Sequence, residues 1–192
     1  MENLTNKYLY IISGPNGAGK TTASMTILPE VLQINEFVNA DIIAYGLSPF
    51  NPESVAIQAG RMMLLRIEEL LSDGVSFAFE TTLSTKSYRH LVGRAQELGY
   101  QVVLFYFWLS TPEHAINRVA KRVSEGGHNI PTEVIERRYI AGVRNLFDIY
   151  IELCDVVQVY DNTEGKPRFI FRVENGDCEI IDEERYALMK TL

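Results

Sequence analysis

The sequence predicts an α/β domain with a mainly parallel, five-stranded sheet, helices on both faces and a C-terminal β-hairpin. Three observations lead there. Short apolar runs alternate with longer amphipathic stretches between residues 8 and 160, the strand–helix rhythm of a parallel sheet. A glycine-rich segment, Gly14-Pro15-Asn16-Gly17-Ala18-Gly19-Lys20-Thr21-Thr22, lies directly between the first apolar run and the first helical stretch. Asn175-Gly176 separates two apolar runs near the end of the chain, which is hairpin chemistry.

The elements follow in order. "YLYIIS" (8–13) is a buried strand, and a helix begins at Gly19 or Lys20 and stops near Leu28, before Pro29. "EFVNA" (36–40) is a second strand. Asn51-Pro52 starts a helix with proline in its first turn, running to about Ser72 with Gly74 beyond its end. "VSFAF" (75–79) is the third strand, followed by a helix from about Lys86 to Leu98 that closes on Gly99. "QVVLFYFWL" (101–109) is a deeply buried fourth strand, with Trp108 in the core. Thr111-Pro112 caps the next helix, whose apolar residues Ala115, Ile116, Val119, Ala120 and Val123 share a face. "GGHNIP" (126–131) breaks it, and Thr132 opens another helix to about Leu153. "VVQVY" (156–160) is the fifth strand, residues 168–181 form the hairpin, and a short helix finishes the chain.

The 192 residues, 46% hydrophobic and without repeats, low-complexity tracts or linkers, suit one domain spanning 1–192. A net charge of −7 opposes broad binding to a polyanion, so nucleic acid is a disfavoured partner. Cys154 and Cys178 have no CxxC spacing, which argues against a zinc site or a disulfide framework and fits a reducing compartment. The N-terminus does not read as a signal peptide, and the longest apolar run, "VVLFYFWL", is strand-sized. The expectation is a cytoplasmic protein with no membrane segment.

Gly14-x-x-x-x-Gly19-Lys20-Thr21 is a full Walker A pattern in its required strand-to-helix context, so the fold expected is that of a P-loop NTPase. Glycines allow several N–H groups to point at phosphate oxygens, and the helix N-terminus adds a favourable dipole. All of Gly14 to Thr22 is therefore expected to bind nucleotide, with Lys20 at the β- and γ-phosphates and the Thr21 hydroxyl on magnesium. The wording also suits ABC-transporter ATPases, but neither an LSGGQ-type segment nor an apolar strand ending in Asp-Glu occurs; "SEGGH" (124–128) is a loose echo. No Asn-Lys-x-Asp base-reading motif occurs either, which leaves a compact kinase-like protein using ATP.

Ligands of such sheets bind beyond the C-terminal ends of the strands. Asp41, after the second strand, is placed to take a proton from an attacking hydroxyl, or else caps the helix that begins "IIAYG". Glu80, after the third, can orient magnesium through water or bind a substrate hydroxyl, alongside Thr81 and Thr82. From 118 to 144 there are five Arg and one Lys against three Glu. Arg118, Arg122, Arg137 and Arg138 on two helices joined by a glycine break suit a lid that neutralises transition-state charge; a solvated helix face is the alternative. His128 reads as a loop residue, Arg61 as surface, and "DNTEGKP" (161–167) as the border of the base pocket.

"GPNGAGKTT", "FVNAD", "FAFETTLS", "RVAKRVSEGGHNIP", "ERRY" and "VYDNTEGKP" occur in that order, and together they resemble the zeta-toxin family of P-loop kinases to about residue 175. The resemblance implies ATP-dependent phosphorylation of a small-molecule hydroxyl, in the toxins that of a UDP-amino sugar. It assigns the nucleotide loop to Lys20 and Thr21, the base to Asp41 and substrate contact to Glu80 and Thr82. Arg122 and Arg137 match as the acting lid pair, with Arg118 and Arg138 as further substrate contacts. The toxins read Glu-Gly-Thr-Leu-Arg where this chain reads Glu80-Thr81-Thr82-Leu83-Ser84, a departure that removes a basic residue from the acceptor segment. An antitoxin partner is left open. A non-catalytic ATP-dependent switch and a nucleic-acid 5′-kinase are the alternative readings.

Overall fold

The computed structural model describes residues 6–127 and 129–192. Its strands are β1 (Lys7–Ser13), β2 (Phe37–Val38), β3 (Phe77–Thr81), β4 (Tyr100–Trp108), β5 (Val156–Asp161), β6 (Arg168–Glu174) and β7 (Asp177–Ile180). Its helices are α1 (Lys20–Thr26), α2 (Ala40–Leu47), α3 (Ala56–Asp73), α4 (Tyr88–Glu97), α5 (Pro112–Ser124), α6 (Thr132–Asn145), α7 (Ile151–Leu153) and α8 (Glu183–Lys190).

The strands form one sheet of order β2-β3-β1-β4-β5-β6-β7, parallel from β2 through β5 and antiparallel at β6 and β7. The sheet therefore has seven strands, not five with a separate hairpin. The predicted hairpin adds to the outer edge of β5, whose N–H and C=O groups would otherwise be left unpaired. Its turn has Asn175 at φ 52° and Gly176 at φ 85°, both positive as a type I′ turn demands.

Residues Leu9 to Ser13 of β1 are all buried, and so are most of β4. Successive strand residues face opposite sides, so consecutive burial requires cover on both faces of the sheet. Trp108, Tyr106, Tyr139, Tyr150, Phe77, Phe79 and Phe171 are the largest side chains fully inside.

Several boundaries differ from expectation, and two of the shifts shape the site. The second strand is only two residues long, because Asn39 leaves the sheet to cap α2. The third starts and ends two residues later than expected, so Glu80 lies within the ladder, opposite Ile12. Pro29 does not end the first helical segment but sits in a π-helical turn, Ile27–Val31, whose wider ring opens the backbone where proline has no donor. A second such turn, Leu146–Tyr150, divides the long helix expected over 132–153. Among the described residues no helix is long and apolar enough to cross a membrane.

Candidate active site

From β1 the chain first builds β2 and β3 on one side and only then crosses to β4 on the other, a reversal that opens a crevice at the C-terminal end of β1. The glycine-rich loop fills that crevice. A Cβ at Gly14 would lie 2.1 Å from the Phe107 carbonyl oxygen, so the loop can leave β1 this close to β4 only as glycine. Gly17 (φ 77°) and Gly19 (φ 80°) take left-handed conformations, and α1 starts directly after them. Lys20 is buried; its amino group donates to the Pro15 carbonyl at 3.0 Å and lies 3.6 Å from Glu80 Oε1.

Glu80 is held from three sides. Besides Lys20, the Thr21 hydroxyl donates to Oε2 at 2.7 Å and the Asn39 amide donates to the same oxygen at 2.8 Å. An ion pair this buried is tolerable only when further hydrogen bonds satisfy its atoms, and Thr21 and Asn39 supply them. Val38 pairs with Phe79, so the residue after β2 emerges level with Glu80. Asn39 meanwhile uses its Oδ1 to accept the N–H groups of Asp41 (2.8 Å) and Ile42 (3.2 Å). One side chain thus caps α2, which carries Asp41 in its first turn, and tethers Glu80. The cap that was the alternative role for Asp41 is made by Asn39, and the Asp41 carboxylate, exposed, makes no hydrogen bond among the described residues.

Asp41, Lys20, Glu80, Thr82, Arg137 and Arg138 line one cavity of about 480 Å³. Helix α6 brings the two arginines there through close fastening to the loop after β3. A Cβ at Gly142 would meet the Thr82 carbonyl oxygen at 2.7 Å, and Asn145 donates to the Leu83 carbonyl at 2.8 Å. The Tyr139 hydroxyl donates to the Leu109 carbonyl at 2.7 Å, and burial pushes its phenol well above the ordinary value. Leu83 itself is left-handed (φ 59°), a strained turn that this fastening holds. Thr82 and Ser84 share a hydrogen bond of 2.8 Å on the cavity wall. Tyr88 completes that wall, its phenol pushed up by burial against the opposing effect of a hydrogen bond with Thr81.

The four candidate arginines separate. Arg137 and Arg138 face the Glu80 cavity, whereas Arg122 lines a neighbouring one with Thr21, Asn39 and Asp41, beside Gly126 and Gly127. Arg118, expected on the lid as a further substrate contact, is bonded to backbone: its guanidinium donates to the carbonyls of Gly17 (3.2 Å), Asn162 (2.7 Å) and Thr163 (2.8 Å). There it lines a cavity with Gly19, Thr22, Asn162 and Gly165, which Arg122 also borders, so Arg122 stands between two cavities. His128 lies outside the described residues.

Asn39 was not among the expected site residues, and Asn162 was expected only as part of the 161–167 segment at the border of the base pocket. Asn39 had a signal, an N-cap residue type at the end of a strand beside the one that carries Glu80. Asn162, whose amide donates to the Ala18 carbonyl at 2.7 Å, had only its place in the loop after β5.

A family model described as zeta toxin matches residues 48–171. The phosphate-binding loop and Asp41 precede that match. A protein of Haemophilus influenzae (strain Rd) described as uncharacterized is 31% identical over 136 residues, 71% of this chain and 94% of its own length. Among solved structures, the complex of AvrRxo1-ORF1 with AvrRxo1-ORF2 aligns at TM-score 0.78 with sulphate ions and 0.76 with ATP, at 18% identity. Those alignments cover 96% of this chain, which spans only 63% of the chain it matches. A structure of the PezAT toxin–antitoxin system of Streptococcus pneumoniae aligns at TM-score 0.67 and 17% identity, over 97% of this chain and 86% of that one. At these identities the structures speak for the fold alone, whereas the family match covers more than half of the sequence: the chain belongs to the zeta-toxin family.

Proposed function

We propose that the protein is an ATP-dependent kinase that phosphorylates a hydroxyl of a small molecule. The observation that carries this reading is the convergence of Lys20, Asp41 and Glu80 on one cavity walled by Arg137 and Arg138.

The residues present fit a nucleotide and a magnesium ion. Gly17 and Gly19 shape a backbone cradle, and the Oδ1 of Asn16, buried in that loop, has no partner among the described residues. The Thr21 hydroxyl and the Glu80 carboxylate present hard oxygen atoms 2.7 Å apart, suited to a cation that takes one or two protein oxygens and completes its shell with phosphate and water. Thr21, directly or with Glu80 through water, would hold the magnesium, which neutralises charge on the phosphates.

Lys20 supplies a buried cation at the phosphates once its amino group turns from the Pro15 carbonyl. Asp41 accepts the proton of the attacking hydroxyl, and its exposed position on the cavity wall leaves room for an acceptor beside it. Thr82 and Glu80 hydrogen-bond the acceptor, while Arg122 and Arg137 balance charge on the moving phosphoryl group and Arg138 binds the acceptor. Two arginines on the wall favour an acceptor that itself carries an anionic group. A UDP-amino sugar is the candidate the family supplies, with Ser84 standing where the toxins carry arginine. The PezAT likeness supports an antitoxin-type protein as a partner. The test is Asp41→Asn: phosphotransfer should fall by roughly 10²–10⁴-fold with ATP affinity unchanged. Full phosphotransfer by that variant overturns the assignment of the base.

A further inference from the structure

We propose that the C-terminal helix, through Arg185, braces the nucleotide-base side of the site and thereby sets affinity for the base rather than for the phosphates. The inference rests on the reading of the glycine-rich loop as an ATP site.

The brace is a continuous chain of hydrogen bonds. Arg185, in the first turn of α8, donates through Nε to Asp161 Oδ2 at 2.7 Å and through Nη1 to Asp182 Oδ2 at 2.8 Å. Asp161 is the last residue of β5 and is 6% exposed. Its other oxygen accepts the Thr163 N–H at 2.8 Å and also the Thr163 hydroxyl, and that hydroxyl oxygen accepts the Ser110 N–H at 2.9 Å. The loop after β5 is thus fixed against the loop after β4. Fixed this way, it presents the carbonyls of Asn162 and Thr163 to Arg118, whose other nitrogen reaches the Gly17 carbonyl, while the Asn162 amide reaches the Ala18 carbonyl. A helix near the end of the chain is in this way joined to the phosphate-binding loop near its beginning.

The chain passes beside an open cavity of about 510 Å³ that Arg118, Asn162 and Gly165 share with Gly19 and Thr22 of the glycine-rich loop. The Oδ1 of Asn162, a residue 7% exposed, has no hydrogen-bond partner among the described residues. Arg185 and Asp182 lie beyond the residues matched by the family model, so the α8 end of this brace comes from a part of the chain that the match does not reach, while Asp161, Thr163 and Arg118 lie within it.

On this reading the phosphates are gripped by the glycine-rich loop and its neighbours, and the base lies against the loop that Arg185 fixes from the far side. Cutting the brace therefore separates two ligands that a general loss of stability would affect alike. Equilibrium binding of ATP and of inorganic triphosphate is measured on the full chain and on Arg185→Ala and Arg185→Lys, with steady-state kinetics alongside. Arg185→Ala is expected to weaken ATP binding about tenfold, as loss of one charge-assisted link implies, and to leave triphosphate within about twofold. The KM for ATP rises while kcat holds, and Arg185→Lys restores part of the affinity. Thr163→Val, which cuts the same chain between Asp161 and Ser110 without touching the glycine-rich loop, gives the same split and serves if Arg185→Ala does not fold. ATP binding unchanged in both variants, or ATP and triphosphate weakened in proportion, overturns the brace. A wild-type chain that binds neither ligand overturns the ATP-site reading and the brace with it, whereas normal wild-type binding with an unaltered variant overturns the brace alone.

Discussion

The two ends of the candidate site are built in opposite ways. At the exits of β1, β2 and β3, ionisable side chains are held against one another: Lys20 and Thr21 against Glu80, with Asn39 between Glu80 and the helix that bears Asp41. At the exits of β4 and β5, side chains are bonded mostly to backbone: Arg118 to three carbonyls, Asn162 to Ala18, Thr163 to Ser110. The first arrangement stores groups that a ligand must redirect. The second is a finished wall. The proposed function puts the chemistry at the first end and recognition at the second, and variants should separate accordingly.

The largest effect after that of Asp41→Asn falls on Asn39. Asn39→Asp keeps a good helix cap but sets a carboxylate against Glu80, where the native amide donates at 2.8 Å. It should lower kcat by about 10–100-fold, the usual cost of losing a partner that orients a catalytic or metal-binding carboxylate, and lower the melting temperature as well, because two largely buried carboxylates then face each other without a donor between them. Asn39→Ala loses both roles and should also melt earlier, because a lost N-cap costs about 1 kcal/mol. Equal activity of Asn39→Asp and wild type would mean that the tether to Glu80 is idle.

A middling effect is expected at Gly142, where α6 meets the Thr82 loop. Gly142→Ala drives a methyl toward the Thr82 carbonyl, 2.7 Å from the Cβ position, and should cost about 1–3 kcal/mol of stability. Because that contact also positions Arg137 and Arg138, the KM for the acceptor should rise while ATP binding holds. A KM for the acceptor equal to that of wild type would uncouple the helix from the site.

The smallest effect concerns acid. Burial pulls the Asp161 carboxyl up, but hydrogen bonds from Thr163 and Arg185 outweigh it and hold it below the ordinary carboxylate range. The same balance, burial against bonds from Arg185, lowers Asp182. A lowered folded-state pKa contributes stability above the unfolded value, about 4, and loses it as pH falls through the folded value. Denaturant titrations should therefore show the brace contributing at pH 5 and fading only below about pH 4, with Asp161→Asn flattening that acid limb. An identical acid limb in the variant would remove Asp161 from the account.

Much of the first end was legible because its signals are local. The Walker A pattern lies within consecutive residues, and Asp41 and Glu80 follow from asking what stands at the ends of strands. Asn39 was half legible: its residue type marks a cap, but its bond to Glu80 depends on β2 pairing with β3 in one register. The second end was barely legible. Arg118 resembled its neighbours in a basic stretch, and only the folded loops show which carbonyls it faces. Arg185 is 24 residues from Asp161 and carries no motif. The hairpin was visible from Asn175-Gly176, yet its joining the main sheet depends on a free edge at β5 that no local pattern reports.

The central claim, that this site moves a phosphoryl group from ATP to a small-molecule hydroxyl, is tested most directly by following the phosphate. The protein is incubated with ATP labelled at the γ-position, magnesium, and a panel of nucleotide sugars, nucleosides, oligonucleotides and cell extract, and the labelled product is identified by mass spectrometry. The account predicts a phosphate ester on a small hydroxylated acceptor, formed by wild type and lost in Asp41→Asn. Label at a nucleic-acid 5′ end, or ATP bound with no acceptor labelled, would contradict it.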